Sequence, residues 1–481
     1  MVERHGVSTE EVPFKPLTQP YTDATIPVVF GTAPINLSKA EKPPVNVPIL
    51  AKSWDEAVEA LGYSDDWETF TLCEFMYSHF QLYKQSPVVL VNVMDPKKHK
   101  TAVPAAERSF VGGLLTLPEN GLIKTSIVIK SEDEATTYEV DKDYTLAFNS
   151  SGKLVVSVKA GGALTPASKV KVIGERLDRT KVTNADLIGG TDATTGEVTG
   201  LELIKQVFPR FQLVTGLILS PGYSHDPLVG NVMAAKANMI NGHFFATAIT
   251  DIPANMPYTE VPKWKQDNAY TADLQINAWP KATYKGRKYH LSTHIAGVIC
   301  KTDAENEFVP YRSPSNKTLM IDGAVLDDGA EVSLGVDEAA YLNAQGIMTA
   351  INFVGGWKSW GNRTASYPEK TDPQDTFISV RRMFNWLRNS LVLRYWRDVD
   401  DPGNKRLIEK VTDDGNIWMN GLQGAQYILG GRLEFNAAEN PPADLVDGKF
   451  KFHVYASPPS PGQSLHFIVE YDAQYLSAIT G

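Results

Sequence analysis

The chain has 481 residues, 43% of them hydrophobic and 21% charged, a composition that fits an ordered globular protein and excludes wholesale disorder. Its length exceeds the size at which a single core stops growing, so two to four domains are expected. With 56 acidic against 46 basic residues the formal charge is −10, and the overall basic field of a nucleic-acid binder is absent.

Two cysteines, Cys73 and Cys300, are too few for a disulfide framework or a structural zinc site and read as small buried hydrophobes. The first residues are charged and lack the apolar run of a secretion signal. No apolar stretch approaches the ~20 residues of a membrane span. The expected place of synthesis and storage is the cytoplasm.

Residues 1–25 read as an extended arm. Pro13, Pro16 and Pro20 interrupt any helix, and Val7, Ser8, Thr9, Glu10, Glu11 and Val12 have weak strand character without a local partner. Residues 26–96 give a β-α-α-β unit: a buried strand at 26–31, a helix opened by Ser53 and Glu56 and stopped by Gly62, a longer helix over 67–83, and a central strand at 87–93. From 97 to 185 the pattern is that of an inserted all-β module, with strands at 125–130, 136–148, 153–158 and 170–173 and a turn over 149–152.

Between 186 and 356 strands and helices alternate in the rhythm of a parallel sheet covered by helices. A short helix falls at 200–207, strands at 213–219, 244–249 and 295–300, and a helix at 227–240. Residues 357–462 hold a helix over 377–396, a second near 418–429 and a strand at 449–455. In the last segment, 463–481, Leu465, Phe467, Val469 and Tyr471 alternate as in a strand. The expected fold class is a multidomain α+β or α/β chain with an inserted β module and an arm at either end.

Signals for chemistry are sparse. His290 and His294 have the spacing of two imidazoles on one helical face, but their surroundings read toward a strand and lack the glutamate of a hydrolytic zinc helix. Ser224, His225 and Asp226 are the residue types of a hydrolase triad, yet immediate neighbours point in different directions and no Gly-x-Ser-x-Gly elbow holds them. The glycine pairs at 189–190, 355–356 and 430–431 lack the lysine and hydroxyl residue of a phosphate cradle. No catalytic, metal or cofactor-binding residue is assigned.

The helix from Phe377 carries more. At about 100° per residue, Val380, Met383, Phe384, Leu387 and Leu391 share a face, Arg381 and Arg388 lie together on its flank, and Arg382 lies further round. The arginines are either a solvated rim or a basic stripe offered to an acidic partner. The two arms are either ordinary termini or strands exchanged between copies, with backbone hydrogen bonds as the adhesive. Repetition of a contact between unlike surfaces gives a ring or an open helix.

Several motifs then occur in one order: His5-Gly-Val-Ser-Thr-Glu-Glu-Val-Pro13, Ile188-Gly-Gly-Thr-Asp192 with Thr195-Gly-Glu-Val-Thr-Gly-Leu201, Leu217-Ile-Leu-Ser-Pro-Gly-Tyr223, His294-Ile-Ala-Gly-Val-Ile-Cys-Lys-Thr-Asp303 with Ser313-Pro-Ser-Asn316, Leu342-Asn-Ala-Gln-Gly-Ile-Met348, Trp360-Gly-Asn-Arg-Thr364, and Phe377-Ile-Ser-Val-Arg-Arg-Met-Phe384. Together they resemble the contractile tail sheath proteins of phages and phage-like particles. The resemblance implies an inner domain made from 26–96 and 357–462, a middle domain of subtilisin-like topology without its activity, and no cofactor. It implies a helical homopolymer of stacked hexameric rings, joined by the arm strands at Val7–Val12 and Leu465–Tyr471. It also implies an inner tail tube touched by the helix bearing Arg381, Arg382 and Arg388, baseplate and tail-terminator partners, and a place in a virion tail or tail-like particle assembled in a bacterial cytoplasm. Neither nucleic acid nor inserted membrane is an expected partner. The competing readings are a hydrolase using Ser224 in the middle domain and a receptor- or glycan-binding tail component using the β module.

Overall fold

The Val-rich run after Thr25 forms strand β1 (Pro27–Gly31), buried along its whole length, in a computed structural model that describes residues 25–479. The expected arm strand Val7–Val12 lies outside the described residues. Strand β2 (Pro48–Ala51), helix α1 (Trp54–Leu61), helix α2 (Thr71–Met76) with its π-helical continuation Tyr77–Leu82, and strand β3 (Val88–Asn92) follow. Ser53 caps α1 as expected, its hydroxyl accepting from the Glu56 N–H at 3.2 Å. The second helix starts at Thr71 and not at 67, because the Asp66 side chain accepts from the Thr69 N–H and fixes a turn there.

The β module comprises β4 (Lys100–Ser109), β5 (Leu114–Thr116), β6 (Val128–Ser131), β7 (Thr137–Tyr138), β8 (Tyr144–Phe148), β9 (Leu154–Val158) and β10 (Lys169–Leu177). They form two sheets, in the orders β4-β10-β6-β7 and β5-β9-β8. Ile129, Tyr144, Leu154, Val156 and Val170 belong to a core of the module's own. Strand β4 falls inside the expected β module but outside the strands expected there; its Lys, Glu, Arg and Pro residues suit an edge strand, which is where it sits.

Next come α3 (Asn184–Ile188), the small hairpin β11 (Gly190–Thr191) and β12 (Val198–Thr199), α4 (Val207–Phe211), β13 (Leu217–Leu219), α5 (Pro227–Lys236), β14 (Thr247–Asp251), α6 (Val261–Asp267) and β15 (Gln275–Ala278). The run continues through β16 (Lys281–Tyr284), β17 (Arg287–His290), α7 (Leu291–Ala304), β18 (Gly323–Val325), α8 (Val336–Asn343), β19 (Ile347–Phe353) and β20 (Gly356–Trp360). The strand expected at 295–300 is instead the middle of α7. Every residue of that helix but Lys301 and Ala304 is buried, so its sequence is apolar all round and carries no helical stripe. Gly297 lets the helix approach Tyr83 closely, since a Cβ there would sit 2.3 Å from the ring.

One eight-stranded sheet runs β2-β3-β1-β13-β14-β15-β19-β20, six inner strands parallel and the two edges antiparallel. Every residue of β1, β3, β13, β14 and β15 is buried, as in a sheet covered on both faces. This corrects the expected boundary between 26–96 and 186–356. The two stretches share one sheet and one core, because β1 is inserted between β3 and β13.

The remaining elements are α9 (Pro373–Thr376), α10 (Ile378–Tyr395), α11 (Lys405–Gly424), β21 (Gly431–Glu434), α12 (Pro442–Val446) and β22 (His453–Ala456). Met383, Trp386, Leu387, Met419, Leu422 and Ile428 form a separate core between α10, α11 and the β21–β22 hairpin. The helix expected near 418–429 is the end of α11, which starts at an Asn404 cap. The strand expected over Leu465–Tyr471 is not formed, and those residues belong to no helix or strand. No helix among the described residues is long and apolar enough to cross a membrane.

Candidate functional site

The surfaces singled out by the sequence lie on α10 and beyond it. Helix α10 is docked on the amino end of the central sheet by two asparagines one turn apart. Asn389 both accepts from the Phe245 N–H and donates to the Phe245 carbonyl, each at 2.8 Å, and the Asn385 amide reaches the Ala246 carbonyl at 3.3 Å. Each buried amide satisfies backbone groups that precede β14, and together they fix the register of the helix. Their i, i+4 spacing was visible in the sequence, but nothing marked their partners.

The three arginines part company. Arg382 is buried and forms a two-pronged pair with buried Asp303 of α7, at 2.5 and 3.2 Å. Arg381 is also buried and reaches Asp375 at 3.2 Å. A continuous solvated basic stripe is therefore not present: the inward face of α10 is wide enough to take in both arginines, and each meets an internal carboxylate. Arg388 alone of the three is exposed, its guanidinium lying over the Phe245 ring. A further pair, Arg394 to Asp414 at 2.6 and 2.8 Å, fastens α10 to α11.

Beyond α11 the β21–β22 hairpin stands as a two-stranded sheet, anchored where Asn416 exchanges hydrogen bonds with both backbone groups of Leu433. The chain then passes Gln463, which accepts from Arg363, and enters a run in which Leu465, Phe467, Val469 and Tyr471 are 77–92% exposed. Side chains of that kind in water mark a surface awaiting a partner. Asn416 takes the outer edge of β21 at Leu433, whereas the outer edge of β22 has no strand partner among the described residues.

The candidate chemical groups resolve into a buried clamp on the amino end of α7. Asp251, at the carboxyl end of β14, accepts from the Ser292 N–H at 3.0 Å, from the Ser292 hydroxyl at 2.6 Å and from Ser224 at 3.0 Å. Glu74 of α2 accepts from the His290 N–H at 2.7 Å, the His290 Nδ1 at 2.8 Å and Thr293 at 2.9 Å. Two carboxylates thus satisfy donors at a buried helix start, where the helix dipole favours negative charge. Burial pushes the Glu74 carboxyl up, but the His290 charge and the hydrogen bonds outweigh it and leave it below the ordinary range.

Ser224, His225 and Asp226 do not converge. Ser224 is wholly buried with its hydroxyl on Asp251, His225 faces outward, and Asp226 caps α5 through the Leu228 N–H. Among the described residues no imidazole is placed as a base for the serine. His290 and His294 also diverge, the first to Glu74 and the second to the Tyr83 hydroxyl at 3.0 Å.

No family model matches the chain. It is 25% identical over 490 aligned positions to a tail sheath protein of Burkholderia phage BcepMu, covering 99% of this chain and 98% of that one. It is also 25% identical to a putative prophage major tail sheath protein of Pseudomonas aeruginosa, over 81% of this chain and 97% of the relative. Among solved structures, the six-fold symmetrised baseplate of the anti-feeding prophage aligns with a TM-score of 0.58 at 14% identity, over 98% of this chain and 100% of that one. The sheath complex of the PVC extracellular contractile injection system in its contracted state aligns at 0.57 and 13%, over 98% and 99%. Over its described residues the chain shares the fold of these two matched chains.

Proposed function

We infer that this chain is the structural subunit of a contractile tail sheath, which polymerises around an inner tube and shortens to drive that tube through a cell envelope. The observation that carries the reading is the likeness to phage and prophage sheath proteins along nearly the whole chain. The exposed apolar run near the carboxyl end agrees with it, since a monomer has no use for that surface.

In this reading each subunit is a rigid body, held stiff by the eight-stranded sheet and the buried ion pairs, and the segments at its ends are the hinges. Leu465–Tyr471 adds as a strand to a β21–β22 hairpin of a neighbouring copy, and Val7–Val12 does the same from the other end. Backbone ladders survive rotation of the bodies they join, so the lattice can repack without dissolving. The extended packing is held by the tube and the contracted one has the lower free energy; a small difference per subunit, added over the lattice, drives the change.

Contacts with the tube must break during that change, so weak polar pairs suit them. An exposed Arg388 facing a carboxylate of the tube contributes roughly 0–1 kcal/mol. The expected partners are further copies in stacked hexameric rings, the tube protein, baseplate and terminator. The expected place is a phage tail or tail-like particle, assembled in the host cytoplasm. The subtilisin-like topology of the 186–356 portion belongs to the same reading, as does the absence of any reaction.

Electron microscopy of the chain expressed alone, with sedimentation, tests the whole. Striated tubes or long helical polymers are expected. Compact monomers or dimers at high concentration and moderate salt overturn it.

A further inference from the structure

Thr25, the first described residue, leads into β1 at the amino end of the parallel strands, where the Ile26 carbonyl accepts from the Gly216 N–H at 2.9 Å. The order β1-β13-β14 sets the starts of these three strands side by side. Residues 1–24 therefore join the folded body at this end of the sheet. An apolar groove of about 440 Å³ opens at the same end. Phe208 comes from α4 ahead of β13, His243 and Phe244 from the turn before β14, and Trp396 from just past the end of α10. Trp396 is 60% exposed, with His243 edge-on to it at 5.1 Å. Gln212 and Asn241 add amide groups, and none of the described lining residues is Asp, Glu, Lys or Arg.

The sequence shortly before Thr25 has matching chemistry. Pro13-Phe-Lys-Pro-Leu-Thr-Gln-Pro-Tyr21 holds three prolines and no acidic residue. Wound as polyproline II, at three residues per turn, it sorts into the edges Pro13/Pro16/Gln19, Phe14/Leu17/Pro20 and Lys15/Thr18/Tyr21. The first two edges are apolar but for Gln19, and the third keeps Lys15 and Thr18 for water.

We propose that residues 13–20 dock in this groove of their own chain as a polyproline II helix. Aromatic-walled grooves hold proline-rich segments because rings pack on the pyrrolidines and the helix is preformed, so little conformational freedom is lost. Gln212 and Asn241 offer amide N–H groups to the backbone carbonyls that such a helix leaves unpaired. The tether reaches: β1 and β14 lie two strand spacings apart, about 10 Å, and the five steps from Pro20 to Thr25 span up to about 17 Å. The carboxyl-terminal run suits the groove less well, since Leu465–Tyr471 contains no proline and alternates as a sheet edge requires. Docked, the segment fixes the direction in which Val7–Val12 leaves the subunit.

That consequence rests on the sheath reading, whereas the contact forms within one chain and is tested without a polymer. The full-length chain carrying Leu17→Cys and His243→Cys is oxidised mildly at a dilution that keeps it monomeric, the native Cys73 and Cys300 being buried. An intrachain disulfide joining the two tryptic peptides is expected. Adding Pro16→Gly and Pro20→Gly, which lie outside the described residues, is expected to slow its formation about fivefold or more, because an undocked tether holds the thiols at a lower effective concentration. Trp396→Ala, checked to melt as the parent does, is expected to slow it alike. Absence of the link overturns the docking, and so do equal rates in all these chains, the mark of a tether colliding at random. A linked dimer as the main product assigns the groove to the segment of a second copy and overturns it too. Tubes of the parent chain without the link leave the sheath reading standing, and the link without tubes overturns that reading alone.

Discussion

Two regions of this chain invert the usual placement of side chains, in opposite senses. Around α7 the interior holds charges: Glu74 beneath His290, and Arg382 against Asp303, all buried or nearly so. In the last twenty residues the surface holds Leu465, Phe467, Ile468, Val469 and Tyr471. The interior charges satisfy each other within one chain and accept one docking geometry only, because a displaced partner leaves an unpaired buried charge. The exposed apolar run has no such internal solution. One region makes the subunit rigid and the other makes it incomplete.

That contrast can be broken experimentally, and the expected effects on the isolated chain fall in a clear order. Asp303→Ala strands Arg382 in the interior and is expected to lower stability by about 3–5 kcal/mol, read as an earlier urea midpoint. A loss below 1 kcal/mol would mean that the pair does not organise the α7–α10 contact.

Acid comes next. Burial pushes His79 down to about 3 and His294 down to about 4, so both stay neutral in the folded chain. Unfolded, they bind protons below about pH 6.5, so stability is lost as pH falls from there toward 4.5, by roughly 2–3 kcal/mol per histidine. His290 acts in the other direction: burial lowers it, the Glu74 charge outweighs that, and its contribution is full below about pH 6.5 and lost as pH rises through its raised value. Neither ring nitrogen of His79 has a partner and its ring stacks on Phe75, so His79→Phe is expected to keep the fold at pH 7 and to remove about half of the acid loss. Melting curves across that range decide it.

Deleting residues 464–481 is expected to move monomer stability by no more than about 0.5 kcal/mol, because the described residues of the segment are exposed, yet to abolish polymers in sedimentation and microscopy. Deleting residues 1–20 should likewise abolish polymers and leave a folded monomer. A truncated chain that still forms tubes would turn the exposed run into an ordinary tail. Arg388→Glu has the smallest effect: unchanged melting, unchanged polymers of the chain alone, and weakened assembly on the tube, worth roughly 0–1 kcal/mol per contact.

How far the sequence could be read follows the same division. Local signals held where the physics is local: the Ser53 cap, the Val88–Asn92 strand and the outline of α10 needed only their own residues. Readings failed where distant packing decides. Helix α7 looked like a strand because burial on every side erased its stripe, and β4 gave no strand signal because an edge strand tolerates charge and proline. Arg381 and Arg382 looked solvent-facing because their carboxylates lie elsewhere, Asp375 in the preceding turn and Asp303 79 positions away. Of the candidate surfaces, the alternation of Leu465–Tyr471 was legible, whereas the groove at Trp396 was not, since three separate stretches build it.

The place of β1 in the sheet has a consequence for how the molecule is made. Val28 pairs with Val89 on one side and with Ile218 on the other. The second residue of this strand emerges from the ribosome long before either neighbour, and the later neighbour waits for the entire β module to be synthesised. That module has its own core and can close while the first half-sheet is still open. Each nascent subunit therefore spends a long interval with an unfinished edge at β1, in a cell that is making many identical copies. Keeping the module compact during that interval shortens the reach between the two halves of the sheet and favours pairing within a chain over pairing between chains.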